Sequence, residues 1–226
     1  MRVRLDSLLV GPVRPLGARG VASAIDKQPV DAALRLGRDG FEQDAQADTR
    51  RHGGPDKAVH HYPFEHYLCW RRELGHVPLL ERPGAFGENL STTGMDEQSV
   101  ALGDVFRLGS ALLQVSQGRQ PCWKLNLRFE VEDMALRVQK SGRTGWYYRV
   151  IEAGAVRPGD VLELIDRPSP QWTLTRAWRL LYVEPLDREE LAALAALAHL
   201  PDSWRGLAER RLATGLVEDW TRRLSG

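Results

Sequence analysis

The clearest indication of fold class is residues 105–116, VFRLGSALLQVS, in which two apolar runs flank Gly109-Ser110. That pair suits the two-residue type II′ turn of a β-hairpin. Similar short runs recur before residue 168, separated by Gly, Pro and Asp: VRLDSLLV, VASAI, WYYRVI and VLELI. The segments LGDVFRL (102–108) and PGDVLEL (158–164) also resemble each other, each a Gly-Asp turn that leads into a strand. This pattern predicts a small β-barrel closed by similar corners.

Two helices are predicted to interrupt the strands. The segment PFEHYLCWRREL (63–74) starts with proline, which is common at a helix N-terminus. The segment EVEDMALRVQKSG (130–142) has acidic residues in its first turn and Lys140 in its last turn, and Gly142 follows as a stop. Both segments are therefore expected to be helical.

The composition changes after the linker-like sequence DRPSP at residues 166–170. Thr175 is the expected N-cap of a first helix, and Asp187 that of a second, with Glu190 completing a capping box. A third helix is expected to begin after Pro201. These helices are short and cannot form a large core alone, so they are expected to pack together or on the barrel.

The fold class expected is therefore mainly β with α, as a β-barrel domain of residues 1–168 and a small helical domain of residues 169–226. The 226 residues are enough for one substantial core. The formal net charge of +1 gives no global field for nucleic acid or a membrane surface. No run of eighteen apolar residues and no signal-peptide pattern is present. The expected location is cytoplasmic, with no nucleic-acid or membrane partner.

The two cysteines, Cys69 and Cys122, are too few for a four-cysteine iron–sulfur cluster or a cysteine-rich zinc site. A reducing compartment also disfavours a structural disulfide between them. Any cysteine chemistry therefore depends on a single thiol. Cys69 lies between Leu68 and Trp70 in a predicted helix, where packing is its expected role.

Cys122 lies in SQGRQPCWKLN (116–126), between Arg119 and Lys124. One interpretation is a small hydrophobe in a turn. The alternative is a thiolate, which nearby cations favour and which metal binding or nucleophilic attack requires. Soft thiolate ligands suit transition metals better than magnesium or calcium. The preceding strand is predicted to end at Ser116, which would place Cys122 on a loop over the barrel mouth.

Two glycine-containing loops are further candidates for a binding site. In residues 46–66, QADTRRHGGPDKAVHHYPFEH, the pair Gly53-Gly54 lets the backbone approach a ligand closely, and Lys57 suits a phosphate. The sequence contains neither a Walker motif nor G-x-G-x-x-G. In GAFGENLSTTGM (84–95), Asn89 could bind a polar heterocycle or simply satisfy its own backbone.

The histidines of the first loop are individually weak candidates, because a loop histidine is more often a surface or capping residue. A zinc site formed by His61, His66 and Cys122 is conceivable, but there is no H-E-x-x-H motif. His60 and His61 should point to opposite faces if their segment is extended.

Taken together, several of these stretches resemble the YiiM-type proteins of the MOSC domain family. The matching segments, in order, are HGGPDKAVHHYP, FGENLS, GDVFRLGSALLQVSQGRQPCWKL and TGWYYRVIEAG. The tail SWRGLAERRLATGLVEDW resembles their C-terminal three-helix domain. One departure is visible: family members usually read G-D-x-Q before the HGG motif, and here Gln43 replaces the glycine while Asp44 and Gln46 match.

The resemblance implies a MOSC-type β-barrel that binds the molybdenum cofactor through a pterin dithiolene and one cysteine ligand. That cysteine corresponds to Cys122, in the matching P-C-x-K-L. The HGG and GENL loops resemble segments that line the cofactor cleft. The resemblance therefore suggests these cofactor-binding residues: His52, Gly53, Gly54, Lys57, Asn89, Ser116, Arg119 and Lys124.

The activity implied is reduction of N-hydroxylated compounds, above all 6-N-hydroxylaminopurine, to the amine and water. Cleaving N–O in this way requires two electrons and two protons, and the cofactor carries the redox chemistry. His52 or His61 is hypothesised to supply protons, since histidine titrates near neutrality. The chain has no flavin or nicotinamide fingerprint, so a separate electron-donor reductase is predicted. The C-terminal helices could be its dock, although packing or homodimer contacts are more usual.

Two other functions use the same residues. In one, Cys122 holds a persulfide or passes on the molybdenum cofactor as a carrier, without substrate turnover. In the other, the chain only binds a nucleotide derivative, and Cys122 is dispensable. Several polar loops that converge on one cleft favour the enzyme, because a carrier has less need of them.

Overall fold

The computed structural model describes residues 1–47 and 53–226, which form thirteen strands and seven α-helices. The strands are β1 (Arg2–Val10), β2 (Arg14–Leu16), β3 (Val21–Ser23), β4 (Gln28–Pro29), β5 (Leu34–Gly37), β6 (Gly40–Phe41), β7 (Val59–Pro63), β8 (Leu90–Thr92), β9 (Val105–Leu108), β10 (Ala111–Gly118), β11 (Trp146–Glu152), β12 (Gly154–Val156) and β13 (Val161–Asp166). The helices are α1 (Glu65–Leu74), α2 (Lys124–Phe129), α3 (Met134–Ser141), α4 (Leu174–Tyr182), α5 (Arg188–Ala195), α6 (Asp202–Thr214) and α7 (Thr221–Leu224).

Seven strands form a closed barrel in the order β13-β9-β10-β11-β7-β8-β1, and the pairing of β1 with β13 completes the ring. The short β4 adds to β1 as an extra strand. Strands β7 and β8 run parallel, whereas the other barrel neighbours are antiparallel. The predicted fold class, mainly β with α, is confirmed.

The hairpin predicted at Gly109-Ser110 is present, with Leu108 paired to Ala111 across the two-residue turn. Gly109 has φ +57°, and a Cβ there would lie 2.2 Å from the carbonyl oxygen of Ala155. Only glycine fits both constraints. The two similar Gly-Asp segments lead into β9 and β13, which are neighbours in the barrel and pair Leu108 with Leu162.

The helical region after Cys122 differs from the prediction. The expected helix over 130–142 begins only at Met134, and an unpredicted helix, α2, precedes it. Glu130 has φ +55° and ends α2 in the left-handed region, so residues 130–133 form a link between two helices. Gly142, also left-handed at φ +73°, ends α3 as predicted.

The caps of the C-terminal helices agree only in part with the sequence. The side chain of Thr173, rather than Thr175, caps α4 and accepts from the backbone N–H of Arg176. Asp187 caps α5 as predicted and accepts from the N–H of Glu190. The expected capping box is not formed, because the Glu190 carboxylate accepts hydrogen bonds of 2.8 and 2.6 Å from Arg176.

One hydrophobic core joins the barrel to α4, α5 and α6. It contains Phe106 and Tyr148 from the barrel together with Leu180, Leu194 and Trp204 from these helices. The helices therefore pack on the barrel as well as on each other, and the boundary at 168/169 stays a prediction. A second cluster lies among α1, α2 and α3. Within residues 1–47 and 53–226, no helix has the length and apolar character needed to cross a bilayer.

Candidate functional site

A cleft opens beside Cys122, between the loop after β10 and segments near residues 23–27, 44–47 and 86–89. Its lining includes four basic side chains, which are Lys27, Lys57, Arg119 and Lys124. Asp44, His60, Asn89 and Tyr147 also line it. Within the described ranges, no three His, Cys, Asp or Glu side chains are grouped so that they could hold a metal ion. A protein-only zinc site therefore has no support among these residues.

Cys122 lies in the short connection between β10 and α2 and is only 9% exposed. Its carbonyl accepts from the N–H of Leu125, which fixes it to the first turn of α2. The same connection is anchored to the barrel where the N–H of Arg119 donates to the carbonyl of Gly145. The backbone thus holds the cysteine at the edge of the cleft.

Strand register decides which side chains reach the cleft. Across β10, β11 and β7, Gln117 pairs with Tyr147, and Tyr147 pairs with His60. The next row pairs Trp146 with His61. Because successive side chains of a strand face opposite sides, Tyr147 and His60 reach the cleft and Trp146 and His61 face the barrel interior.

His61, predicted as a proton donor, is therefore placed away from the cleft. It is fully buried, with Nδ1 3.0 Å from the Tyr148 hydroxyl and Nε2 2.8 Å from the Thr92 hydroxyl. Burial lowers the pKa of His61 to about 3, so its imidazole is neutral at physiological pH. This corrects the expectation from sequence: alternation sends the neighbouring residue, His60, to the cleft. His66 instead lies 2.7 Å from Glu97.

His60 lines the cleft, although the sequence contains no signal that distinguishes it as a site residue. Its Nε2 is buried and has no hydrogen-bond partner among the described residues. Burial, reinforced by the nearby charge of Arg119, holds the pKa of His60 well below its usual range. A neutral His60 is suited to a hydrogen bond with a ligand, not to carrying a positive charge.

Arg119 lies where the sequence placed it, in the loop before Cys122, and lines the cleft. The residue is 7% exposed, and its Nη1 has no hydrogen-bond partner in the described part of the chain. Lys124, at the start of α2, donates from Nζ to the carbonyl of Ala22 at 2.9 Å. Lys57 also lines the cleft. The cleft wall is thus strongly cationic, which suits an anionic group.

Asp44 ties two remote segments to the cleft. Its Oδ1 accepts from the N–H of Gly11 at 2.9 Å, and its Oδ2 accepts from Asn89 Nδ2 at 2.8 Å and from Lys27 Nζ. Both members of the Lys27–Asp44 ion pair are buried. Burial lowers the pKa of Lys27, and the Asp44 carboxylate opposes that shift. The sequence carries no local signal for Lys27, because its partner Asp44 lies 17 residues further along the chain and only the folded structure brings the two together.

Asn89 lines the cleft, but its amide is engaged by the protein. Nδ2 donates to the Leu9 carbonyl at 3.1 Å and to Asp44, while Oδ1 accepts from the N–H of His60 at 3.1 Å. Asn89 thus joins β1, β7 and the turn before β8. Asn89 therefore has a framework role, and the ligand contact expected from sequence stays a prediction.

Three further predicted residues, Ser116, Gly53 and Gly54, are not among the described residues that line the cleft. The Ser116 hydroxyl donates to the carbonyl of Asp56 at 2.6 Å and lies 3.0 Å from that of Tyr147, so it holds the 3-10 turn Pro55–Lys57 on the barrel. This corrects its expected role as a cofactor contact. Gly53 and Gly54 precede that turn and are not among the described lining residues. His52 lies outside the described residues.

Comparison with known proteins gives one consistent result. The MOSC domain family matches residues 48–163, and the YiiM-like, 3-alpha helix domain matches residues 172–215. Protein YiiM of Escherichia coli (strain K12) is 45% identical over 207 residues, covering 92% of each chain. The crystal structure of YiiM from Escherichia coli has a TM-score of 0.84 at 39% identity, covering 100% of both chains. A protein of Gibberella moniliformis named Reductase is 38% identical over 199 residues, which cover 87% of this chain and 35% of that protein.

Proposed function

This chain belongs to the MOSC domain family and is similar throughout to YiiM, and we propose that it is a molybdenum-cofactor-dependent reductase of N-hydroxylated compounds. The family supports a molybdenum-cofactor-associated role of the reductase or sulfurase type. The fungal relative named Reductase supports the first of these. The observation that carries the proposal is the position of Cys122 at the edge of a cleft lined by four basic side chains.

The residues of the cleft fit such a cofactor chemically. Two buried nitrogens, Nη1 of Arg119 and Nε2 of His60, have no partner among the described residues. Leaving a buried polar group unsatisfied costs about 1–3 kcal/mol, so a polar ligand in the cleft would relieve that cost. Guanidinium and ammonium groups suit a phosphate, and a cysteine sulfur suits molybdenum.

We assign the cofactor-facing roles by this chemistry. Arg119, Lys124 and Lys57 would hold the anionic part of the cofactor, and Cys122 would be the ligand that the protein gives to the metal. His60, neutral at physiological pH, would make a hydrogen bond through Nε2 to a polar edge of the pterin. Asp44 and Asn89 would keep these groups in place through the contacts they make with Lys27 and with the backbone of His60.

The proposed reaction is R–NH–OH + 2 e⁻ + 2 H⁺ → R–NH₂ + H₂O, with 6-N-hydroxylaminopurine as the leading substrate. When bound, the cofactor supplies the two-electron redox chemistry, which ordinary side chains do not. The low pKa of His60 and of His61 makes both unsuitable as imidazolium acids near pH 7. His52 stays the predicted proton donor, and exchange with solvent is the other source.

We also propose that the electrons come from a separate reductase protein. The chain carries neither a G-x-G-x-x-G fingerprint nor enough cysteines for a cluster of its own. We further propose that the C-terminal helices either dock that reductase or form a homodimer contact. Size-exclusion chromatography with light scattering would show whether the chain is a dimer.

The test compares the wild-type chain with Cys122→Ser and with a matched control, Cys69→Ser. Cys69 is the other cysteine and lies on α1, outside the lining of the cleft. Each protein is purified from molybdenum-replete cells, and molybdenum, pterin and reduction of 6-N-hydroxylaminopurine by a chemical reductant are measured.

We expect the wild type and Cys69→Ser to hold molybdenum and pterin and to form the amine. We expect Cys122→Ser to lose turnover. Metal-free and pterin-free wild-type protein with a persulfide on Cys122 would support the carrier instead. Full turnover by Cys122→Ser would contradict the proposal.

A further inference from the structure

A second cavity adjoins the cleft on the other side of Cys122. Its volume is about 380 Å³, within the range of roughly 300–1,000 Å³ that is usual for small-molecule pockets. It shares Cys122, Lys57 and Tyr147 with the cleft and adds Gln117 and Trp123. We call this cavity the outer pocket. The cysteine is therefore positioned at the junction of two spaces, and the cofactor cleft is only one of them.

One wall of the outer pocket comes from the end of the chain, residues 217–226, which returns to the loop that carries Cys122. Arg223 makes the main attachment: its carbonyl accepts from the N–H of Trp123 at 2.8 Å, and its Nη1 donates to the carbonyl of Pro121 at 2.6 Å. Asn126 Nδ2 also donates to the Leu224 carbonyl at 2.8 Å. Both residues next to Cys122 are thus bonded to this segment.

Gln117, one of the residues that line the outer pocket, carries an unused hydrogen-bond acceptor. Gln117 is 1% exposed, and its Oε1 has no partner within the described part of the chain. It belongs to the same cross-strand row as Tyr147, which also lines the pocket. A buried carbonyl oxygen of this kind is costly unless a ligand or a water donates to it.

Three other polar side chains around the pocket are already engaged by the protein. Arg223 Nη2 donates to Gln139 Oε1 at 2.5 Å, and Gln120 Nε2 donates to the Tyr182 hydroxyl at 3.2 Å. The Asp219 carboxylate accepts from the N–H of Thr221 at 2.8 Å. Lys57 and Arg222 also line the pocket and bring positive charge, so Gln117 contributes the buried acceptor and Trp123 and Tyr147 contribute the aromatic surface.

We propose that the outer pocket is the substrate subsite and takes a flat nitrogen heterocycle that bears an amino or hydroxylamino group. The Gln117 Oε1 accepts a hydrogen bond from the exocyclic N–H, and Trp123 and Tyr147 contact the ring. A hydroxylamino group brings N–H and O–H donors, which is what the buried acceptor lacks. Aromatic side chains favour contact with flat rings. This inference rests on the proposed function, because it makes Cys122 the boundary between cofactor and substrate.

The test measures binding of two probes to the full chain by isothermal titration calorimetry. The probes are 9-methyladenine, whose N–H donors are exocyclic, and 9-methylpurine, which has no N–H donor. The variant Gln117→Met keeps the length of the side chain and removes the acceptor. Gln98→Met is the matched control, because Gln98 is exposed and lines neither cavity. Molybdenum and pterin content is measured on the same samples.

We expect Gln117→Met to weaken 9-methyladenine binding about tenfold, the value of one hydrogen bond of about 1.4 kcal/mol. Binding of 9-methylpurine should change less than twofold, and Gln98→Met should bind both probes as the wild type does. Molybdenum and pterin content should be the same in all three proteins.

Equal losses for both probes, or no loss for either, would overturn the subsite. So would a fall in molybdenum and pterin that is confined to Gln117→Met, because the outer pocket would then hold part of the cofactor. Failure of the proposed function looks different: the wild type would discriminate the two probes through Gln117 yet reduce no N-hydroxylated compound. If Gln117→Met turned over substrate with an unchanged KM and bound the probes with unchanged affinity, the subsite would be refuted and the proposed function would stand.

Discussion

Replacing Asp44 with alanine should lower the free energy of unfolding by about 3–5 kcal/mol, the usual cost of breaking a buried ion pair from one side. The side chains of Lys27 and Asp44 are 7% and 8% exposed, so the ammonium of Lys27 would be left buried without its carboxylate. Gly11 and Asn89 would each lose a hydrogen-bond acceptor as well.

The free energy needed to deprotonate Lys27 is an upper limit on the part of this loss that comes from its unpaired charge. Neutralising a lysine of pKa 10.5 at pH 7 takes about 4.8 kcal/mol, at 1.36 kcal/mol for each pH unit. Burial already lowers the pKa of Lys27 in the folded chain, and loss of Asp44 would lower it further. Between that lowered pKa and 10.5 the unfolded chain binds more protons than the folded one. The stability of Asp44→Ala should therefore rise with pH more steeply than that of the wild type.

Urea unfolding at pH 7, 8 and 9 measures both effects. Asp31→Ala, which removes an exposed carboxylate, is the matched control and should lie within about 0.5 kcal/mol of the wild type. The double variant Lys27→Met/Asp44→Ala should recover part of the loss, because no unpaired charge remains buried. A loss below 1 kcal/mol in Asp44→Ala, or a double variant less stable than Asp44→Ala, would refute the reasoning.

Three further substitutions test the frame around the site. Because the folded pKa of His61 is about 3, the free energy of unfolding should fall as pH drops from 6.5 towards 3. His61→Gln should reduce that slope by about 1.4 kcal/mol per pH unit, and an unchanged slope in urea titrations would contradict this. Glu88→Ala should lower the free energy of unfolding by at least about 3 kcal/mol, because two backbone N–H groups and a tyrosine hydroxyl lose their buried acceptor. A loss in urea unfolding no larger than that of the exposed control Glu189→Ala would contradict this. Gly145→Ala should lower the Tm by more than about 5 °C, because Gly145 has φ +68° and a Cβ there would lie 2.3 Å from a carbonyl oxygen. The control Gly206→Ala should raise the Tm, because Gly206 lies on a helix with open space around its Cβ position.

Sequence predicted the elements whose signals are local. Gly109-Ser110 marks its hairpin because the turn itself requires a left-handed residue, and Asp187 marks a helix start because its side chain caps the next turn. Cys122 could be selected because so few cysteines compete with it. Its cationic neighbours Arg119 and Lys124 lie in the same loop, so the sequence alone brings them near.

Sequence could not predict features that depend on pairing between distant strands. Alternation separates His60 from His61, but only the register of β7 against β11 determines that His60 faces the cleft. Lys27 and Gln117 carry no local signal at all, since the contact with the distant Asp44 and the return of the C-terminal segment create their surroundings. The start of α3 was misplaced because Glu130 adopts a left-handed conformation, which is uncommon for glutamate.

The central claim is that Cys122 gives its sulfur to the molybdenum of a cofactor held in the cleft. X-ray absorption spectroscopy at the molybdenum edge measures the number of sulfur ligands directly, in the wild type, Cys122→Ser and Cys69→Ser. With two sulfurs from the dithiolene and one from cysteine, three are expected in the wild type and Cys69→Ser, and two in any metal retained by Cys122→Ser. The same sulfur count in Cys122→Ser as in the wild type would contradict the claim.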